Sequence, residues 1–127
     1  MRAYVDSDIL IGHLRGQAKA ADLLRRLARE PETELWTGAL QRAEVVFFMR
    51  PDEVAATRTF LSRFKTEAVT QAIVDQGGEF YRKWHASHGI DVNDAMLAAT
   101  VVATGGKIYT NNLKHYPMPD VVAVRGW

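Results

Sequence analysis

Short apolar runs alternate with longer amphipathic stretches along the chain, and this alternation constrains the fold more than any other feature. Between the apolar runs, residues such as Leu23, Leu24 and Leu27 recur at the three- and four-residue spacing of an amphipathic helix. Strands that alternate with helices pair in parallel through right-handed crossovers. We therefore predict an α/β fold, a three-layer α/β/α sandwich around a central, mostly parallel sheet of about five strands. The predicted strands are residues 3–5, 34–37, 68–70, 107–110 and 121–124.

Predicted helices fill the segments between these strands. The first is a brief helical turn that begins at Ile9 and is interrupted by Gly12 and Gly16. Proline and glycine end most of the others, since neither residue continues a helix well. The longer helices are predicted at residues 17–29, 38–50, 51–64, 71–88 and 93–104, with an irregularity at Gly77-Gly78.

The length and composition are those of an ordinary globular domain. The chain has 127 residues, of which 47% are hydrophobic and 24% charged, and this is enough to build one core. It carries 16 Lys and Arg residues against 15 Asp and Glu residues, so bulk charge alone indicates neither a nucleic-acid nor a membrane partner. We expect a single domain that spans residues 1–127.

Cysteine usage and hydropathy bear on the cellular compartment. The chain has no cysteine, which excludes disulfides, thiolate zinc sites and a cysteine nucleophile. No segment reaches the roughly 20 apolar residues that a membrane span needs. Asp6 also stands where a signal peptide would have its apolar stretch. We expect a cytoplasmic protein without membrane contacts.

Several acidic and polar residues follow or lead into predicted strands. Asp6 ends the first strand, and Thr110 and Asn112 lie at the end of the fourth. Asp94 begins a helix that leads into that fourth strand, and Glu44 lies in the helix after the second. Ligands of open parallel sheets bind beyond the carboxyl ends of the strands. Carboxylates gathered there repel one another, and a hard divalent cation such as Mg²⁺ or Mn²⁺ relieves this repulsion.

Each acid taken alone has a simpler interpretation. Asp94 is placed to cap its helix, although Asp91 is the more ordinary capping or first-turn acid there. Asp6 would merely end a strand, and Asp8 would cap the short helix that follows it. Glu44 shares a helical stripe with Leu40, Phe47 and Phe48, and the simple alternative places its carboxylate at the edge of that stripe, in water or beside Arg42.

Four motifs occur in order from the first residues to near the last. They are YVDSDILI at residues 4–11, Glu44 in the helix after the second strand, NDAMLAAT at residues 93–100 and YTNNLKHY at residues 109–116. In this order, and in so short a chain, they resemble the motifs of PIN-domain ribonucleases, specifically the VapC-type toxins of toxin–antitoxin pairs. The resemblance covers the whole chain.

The resemblance implies a Mg²⁺- or Mn²⁺-dependent endoribonuclease that hydrolyses phosphodiester bonds of structured RNA, such as tRNA or rRNA, and so inhibits translation and growth. Cleavage would leave a 5′-phosphate and a 3′-hydroxyl. It also implies three metal-binding acids, a catalytic amide where the family often has a fourth acid, and two hydroxyls that support them. These residues are Asp6, Glu44 and Asp94, then Asn112, then Ser7 and Thr110.

The resemblance further implies partners. A cognate VapB-like antitoxin would cross the toxin with its C-terminal segment and block the acidic site, and homodimerisation is usual in the family. The antitoxin groove would use apolar residues of the first helices, which are equally suited to a core. The candidate groove residues are Leu14, Leu24, Val46 and Phe47, and the candidate RNA contacts are Arg15, Arg50 and Lys114.

Three other functions compete with this interpretation. A PIN-like scaffold that binds antitoxin or RNA without cutting is the main alternative, because Asn112 brings no charge to the site. A receiver-like phosphoacceptor domain needs an Asp at the end of strand three, and Val69-Thr70-Gln71 supplies none. A haloacid-dehalogenase-type phosphatase shares the Asp6-Ser7-Asp8 arrangement but needs further acids and a Lys that are not evident here.

Overall fold

A five-stranded parallel sheet forms the centre of the protein, as a computed structural model of residues 1–127 shows. The strands follow the order β3-β2-β1-β4-β5, so β1 lies in the middle. The strands are β1 (Arg2–Val5), β2 (Glu34–Thr37), β3 (Lys65–Thr66), β4 (Lys107–Thr110) and β5 (Ala123–Arg125). The helices are α1 (Ser7–Leu14), α2 (Ala18–Arg29), α3 (Ala39–Val46), α4 (Val54–Leu61), α5 (Gln71–His88) and α6 (Val92–Thr104), with 3₁₀ turns at Pro51–Glu53 and Leu113–His115.

Two hydrophobic clusters cover the two faces of the sheet, which confirms the predicted three-layer architecture. Alternate residues of β1 point to opposite faces, as the pleat requires. Ala3 and Val5 pack with α1, α2 and α4, whereas Tyr4 packs with α6. Because Ala3, Tyr4 and Val5 are buried on both faces of the sheet, this part of β1 reads as an unbroken apolar run.

The third strand lies in a different place from the one predicted. The prediction of residues 68–70 is wrong, since β3 is the two-residue strand Lys65–Thr66, paired with Trp36 and Thr37. Residues 68–70 are exposed, and the Thr70 side chain caps α5 by accepting from the backbone N–H of Ile73. A strand this short carries no hydrophobic alternation that a sequence could reveal.

Three helix details also differ from the prediction. Gly12 lies inside α1, which starts at Ser7 and is longer than the predicted turn. α5 runs without interruption through Gly77-Gly78, and α6 packs closely against it at Gly77. A Cβ on Gly77 would stand 2.9 Å from the Met96 sulfur, so glycine permits this close approach.

None of the helices combines the length and the apolar character needed to cross a membrane.

Candidate metal centre

Asp6 lies at the carboxyl end of the central strand β1. Its backbone N–H donates to the Tyr109 carbonyl at 3.0 Å, which continues the parallel pairing with β4. Its side chain is buried and caps α1 by accepting from the Ser7 N–H at 2.8 Å through Oδ1. The other oxygen, Oδ2, accepts from the hydroxyls of Thr110 and Tyr116, each at 2.9 Å. Hydrogen bonds from the start of α1, from the end of β4 and from the segment after β4 therefore fix this carboxylate.

Asp94 lies in the first turn of α6 and forms a reciprocal capping box with Asp91. The Asp91 side chain accepts from the Asp94 N–H at 2.8 Å, and Asp94 Oδ2 accepts from the Asp91 N–H at 3.0 Å. Asp91 is thus the N-cap residue, as predicted. The free end of the Asp94 carboxylate, Oδ1, lies 3.4 Å from the Tyr116 hydroxyl. One hydroxyl therefore connects Asp94 to Asp6.

Glu44 joins this group through two hydrogen bonds. Oε2 accepts from the Ser7 hydroxyl at 3.0 Å, and Oε1 accepts from the Asn93 side-chain amide at 2.7 Å. These donors are the chain neighbours of Asp6 and Asp94. The structure therefore brings the three predicted acids into one network, with Ser7 and Thr110 each donating to a carboxylate.

The apolar stripe predicted around Glu44 is not buried. α3 buries Gln41 and Val45, whereas Phe47 and Phe48 are 79% and 82% exposed. α3 ends at Val46, so the two phenylalanines lie beyond the last full helical turn and leave its inward face. The prediction that Glu44 shares a buried stripe with them is therefore wrong. Its half-buried position comes from contacts with Ser7 and Asn93.

Asn112 and Asp8 contact the end of β4 in different ways. Asn112 is exposed, and its only contact with the network is its backbone N–H, which donates to the Thr110 hydroxyl at 3.0 Å. Asp8 does not cap α1, because Asp6 occupies that position. Asp8 Oδ2 instead accepts from the Asn111 N–H at 2.9 Å, so the fourth carboxylate at this edge comes from α1.

Sequence profiles and solved structures show which known proteins this chain is similar to. The profile of the PIN domain matches residues 3–119. The chain belongs to the PIN domain family. It is 37% identical over 119 residues to "Ribonuclease VapC19" of Mycobacterium tuberculosis, covering 92% of this chain and 94% of that protein. "Ribonuclease VapC10" of the same species is 32% identical, covering 90% of this chain and 85% of that protein.

Solved structures with the same fold include complexes of toxins with antitoxins. VapBC-1 from nontypeable Haemophilus influenzae matches with a TM-score of 0.80 at 18% sequence identity, covering 99% of this chain and 98% of that chain. A toxin–antitoxin complex from Klebsiella pneumoniae matches with a TM-score of 0.77 at 22% identity, covering 98% of both chains. At these identities the likeness confirms the α/β/α fold of the PIN domain.

Burial dominates the electrostatics of this PIN-domain site. It raises the pKa of Asp6 to about 6, and the charge of Asp8 adds to this, while hydrogen bonds from Tyr116, Ser7 and Thr110 act against it. Burial also raises the pKa of Asp94 to about 7, with the charges of Asp91 and Asp6 acting in the same direction. His115, whose Nδ1 lies 3.3 Å from Asp94 Oδ2, is the only basic side chain that comes this near either carboxylate.

The donor set fits a hard divalent cation. The three predicted ligands are carboxylates, which Mg²⁺ and Mn²⁺ prefer, and neither Lys nor Arg pairs with them. The three carboxylates do not converge on one point. The Tyr116 hydroxyl lies between Asp6 and Asp94, and Glu44 is connected to them only through their chain neighbours Ser7 and Asn93. Asp6, Glu44 and Asp94 are the residues that would hold the cation.

Sequence reasoning assigned no role to Tyr116 or His115. Both stand in the YTNNLKHY motif, and both contact the acids. Spacing in the sequence gives no signal for these contacts, because they depend on how the chain turns after the fourth strand. The 3₁₀ turn Leu113–His115, which reverses the chain towards Asp6, has no distinctive sequence signature.

Proposed function

We propose that this chain is the toxin of a VapBC-type toxin–antitoxin pair and acts as a Mg²⁺- or Mn²⁺-dependent endoribonuclease. The observation that carries the proposal is the pair of buried carboxylates, Asp6 and Asp94, that share the Tyr116 hydroxyl at the carboxyl edge of a parallel sheet. Two VapC ribonucleases that are 37% and 32% identical to this chain support the same activity. RNA hydrolysis by such a toxin would inhibit translation and growth.

The residues of the site have separable tasks in phosphodiester hydrolysis. A bound Mg²⁺ or Mn²⁺ would neutralise phosphate charge and activate the attacking water. Asp6, Glu44 and Asp94 would hold that cation. Ser7 orients Glu44, and Thr110 orients Asp6, by donating hydrogen bonds to their carboxylates. Asn112, exposed beside the network, is available to meet the substrate rather than the buried acids.

Structured RNA, such as tRNA or rRNA, is the proposed substrate. Arg15 is exposed and lines the same groove as Glu44, and Lys114 is exposed next to His115 in the chain. Both are available for phosphate contacts, which position a nucleic acid without reading its sequence. Arg50 is a weaker candidate, because its guanidinium pairs with Glu53 at 2.8 Å and with Asp52 at 3.7 Å. Selectivity would then come from RNA shape.

The decisive experiment is cleavage of structured RNA by the purified protein. We expect fragments with 5′-phosphate and 3′-hydroxyl ends in Mn²⁺ or Mg²⁺, and none in EDTA. Binding of the same RNA without cleavage in either metal would favour the non-catalytic scaffold.

The structure offers no phosphoacceptor residue at the end of β3. The acid that follows this strand is Glu67, and it is paired with Arg2 at 2.9 Å.

We expect divalent metal to raise the melting temperature of the protein. A cation bound only by the folded state adds about 2.7 kcal/mol to the free energy of unfolding when it is present at a hundredfold excess over its Kd. Thermal unfolding in EDTA and in millimolar Mn²⁺ measures this directly. An unchanged melting temperature would contradict metal binding by Asp6, Glu44 and Asp94, and NaCl at matched ionic strength is the control for non-specific ionic effects.

The antitoxin-binding surface is proposed beside the acid network. A groove of about 260 Å³ lies between α1, α3 and α4 and has Glu44 on its wall, so a segment lying in it would reach the site. Phe48, which lines this groove, is an exposed aromatic side chain, and such side chains commonly anchor binding partners. Leu24 and Val46, also suggested for this surface, instead belong to the core cluster or pack against it. The groove is lined by Ile11, Leu14, Arg15, Glu44, Val45, Phe48, Met49, Glu53 and Thr57.

Replacing an exposed aromatic residue is expected to weaken antitoxin binding. Phe48 lines the groove and is 82% exposed, so Phe48→Asp places a charge against an apolar partner without opening a core cavity. We expect a loss of at least about 2 kcal/mol in binding, measured by calorimetry with the cognate VapB-like antitoxin. Val122→Asp is the control, because Val122 is exposed before β5 and lies outside the groove. Equal effects of both changes would contradict this surface.

We also propose that the chain forms a homodimer, because homodimers are usual in the family to which it belongs. Sedimentation of the purified chain, alone and with antitoxin, tests it. A monomer under both conditions would contradict the proposal.

A further inference from the structure

The side chain of Tyr116 stands between two of the predicted metal ligands. It is 5% exposed, and its hydroxyl lies 2.9 Å from Asp6 Oδ2 and 3.4 Å from Asp94 Oδ1. The phenol hydroxyl donates its hydrogen bond to Asp6, at the shorter of the two distances.

The local fold holds this hydroxyl in place. The Tyr116 N–H donates to the Leu113 carbonyl at 3.0 Å and closes the 3₁₀ turn after β4. The ring packs in the cluster on the α6 face of the sheet, with buried neighbours that include Tyr4, Ile108 and Met118. A packed ring on a closed turn has little freedom to move its hydroxyl.

The hydrogen bonds of Asp6 and Asp94 show which of their carboxylate oxygens remain free. Asp6 Oδ2 already receives two donors, Thr110 and Tyr116, which occupy both of its lone-pair directions. Asp94 Oδ2 accepts from the Asp91 N–H and faces His115. Tyr116 has one proton and gives it at the shorter distance, to Asp6. Asp6 Oδ1, which accepts only from Ser7, and Asp94 Oδ1 thus retain free lone pairs.

We propose that Tyr116 is a positioning residue for the metal site. Its hydroxyl fixes the rotation of the Asp6 carboxylate by holding Oδ2, and it lies against Oδ1 of Asp94, so that one side chain sets the relative position of the two carboxylates. This role rests on the proposed function, since it concerns ligands for the proposed cation. Hydrogen-bond donors behind a metal ligand commonly contribute ten- to a hundredfold to metal affinity.

The test is the Mn²⁺ affinity of Tyr116→Phe, measured by calorimetry on the purified protein. This change removes one oxygen and retains the ring, so we expect the fold and the melting temperature in EDTA to stay near those of wild type. We expect Mn²⁺ binding to weaken at least about tenfold. The Mn²⁺ concentration for half-maximal RNA cleavage should rise by the same factor, with the rate recovering at saturating metal. Tyr109→Phe is the matched control, because Tyr109 is a buried tyrosine of the other core cluster.

The outcomes separate this inference from the proposed function. Weaker binding in Tyr116→Phe with unchanged binding in Tyr109→Phe supports the positioning role. Equal affinity of wild type and Tyr116→Phe overturns the positioning role alone, since the wild type would still bind metal. A wild type that takes up no Mn²⁺ overturns both. A cleavage defect in Tyr116→Phe that saturating Mn²⁺ fails to restore also overturns the positioning role.

Discussion

Asp6→Asn is expected to lower RNA cleavage at least about a thousandfold, because it removes a charged metal ligand where transition-state charge must be neutralised, a contribution worth several kcal/mol. Asn keeps the size of the side chain and an acceptor for the Ser7 N–H that caps α1. The fold should therefore survive. Asp94→Asn should behave in the same way, and expression of either variant in a bacterium should not arrest growth.

Asp91→Asn is the matched control for this loss. Asp91 is exposed and caps α6, and Asn caps helices about as well as Asp, so cleavage should change little. The assay compares initial rates of the purified variants on one structured RNA, with circular dichroism to verify folding. Equal losses at Asp91 and Asp94 would show that the capping box, rather than the Asp94 carboxylate, matters. Full activity in Asp6→Asn would exclude Asp6 as a catalytic metal ligand.

The layers of this fold could be predicted because burial leaves a clear signature in sequence. The central strand β1 is apolar on both faces, and α2 carries buried Leu23, Leu24 and Leu27 on one side. Such long or strongly patterned elements are predictable from local sequence alone. β3 was misplaced because two residues at a sheet edge form no such pattern, and their pairing with β2 depends on the rest of the sheet.

The site was predictable where topology alone brings residues together. Asp6 and Thr110 end neighbouring parallel strands, so their contact at 2.9 Å follows from the strand order. Glu44 reaches the same edge through Ser7 and Asn93, a relation that periodicity could not supply.

Two further features of the site depend on tertiary detail. The exposure of Phe47 and Phe48 depends on where α3 ends, and helix ends are poorly defined in sequence. The place of Tyr116 between the acids depends on a single 3₁₀ turn. Neither can be read from spacing, because each depends on how the chain changes direction after an element.

The stability of the metal-free protein is expected to fall as the pH rises from about 4 to about 7. The folded-state pKa of Asp6 is raised to about 6 from its ordinary value of 3.8, so the folded protein holds this proton more tightly than the unfolded chain does. The resulting stabilisation is fully present below about pH 4 and is lost as the pH passes 6. A shift of about two units corresponds to about 3 kcal/mol in the free energy of unfolding.

Asp94 acts in the same direction over a window that extends to about pH 7, since its pKa is also raised. Urea unfolding in EDTA at a series of pH values measures the effect, and Asp6→Asn should remove the part due to Asp6. Asp22→Asn is the control, because Asp22 is exposed and pairs only with Arg25. If wild type and Asp6→Asn lose stability equally between pH 4 and 7, hydrogen bonds within the fold already offset the cost of burying the ionised Asp6 carboxylate. The same titration in saturating Mn²⁺ should flatten, because a cation that binds the ionised carboxylates offsets the cost of burying their charge.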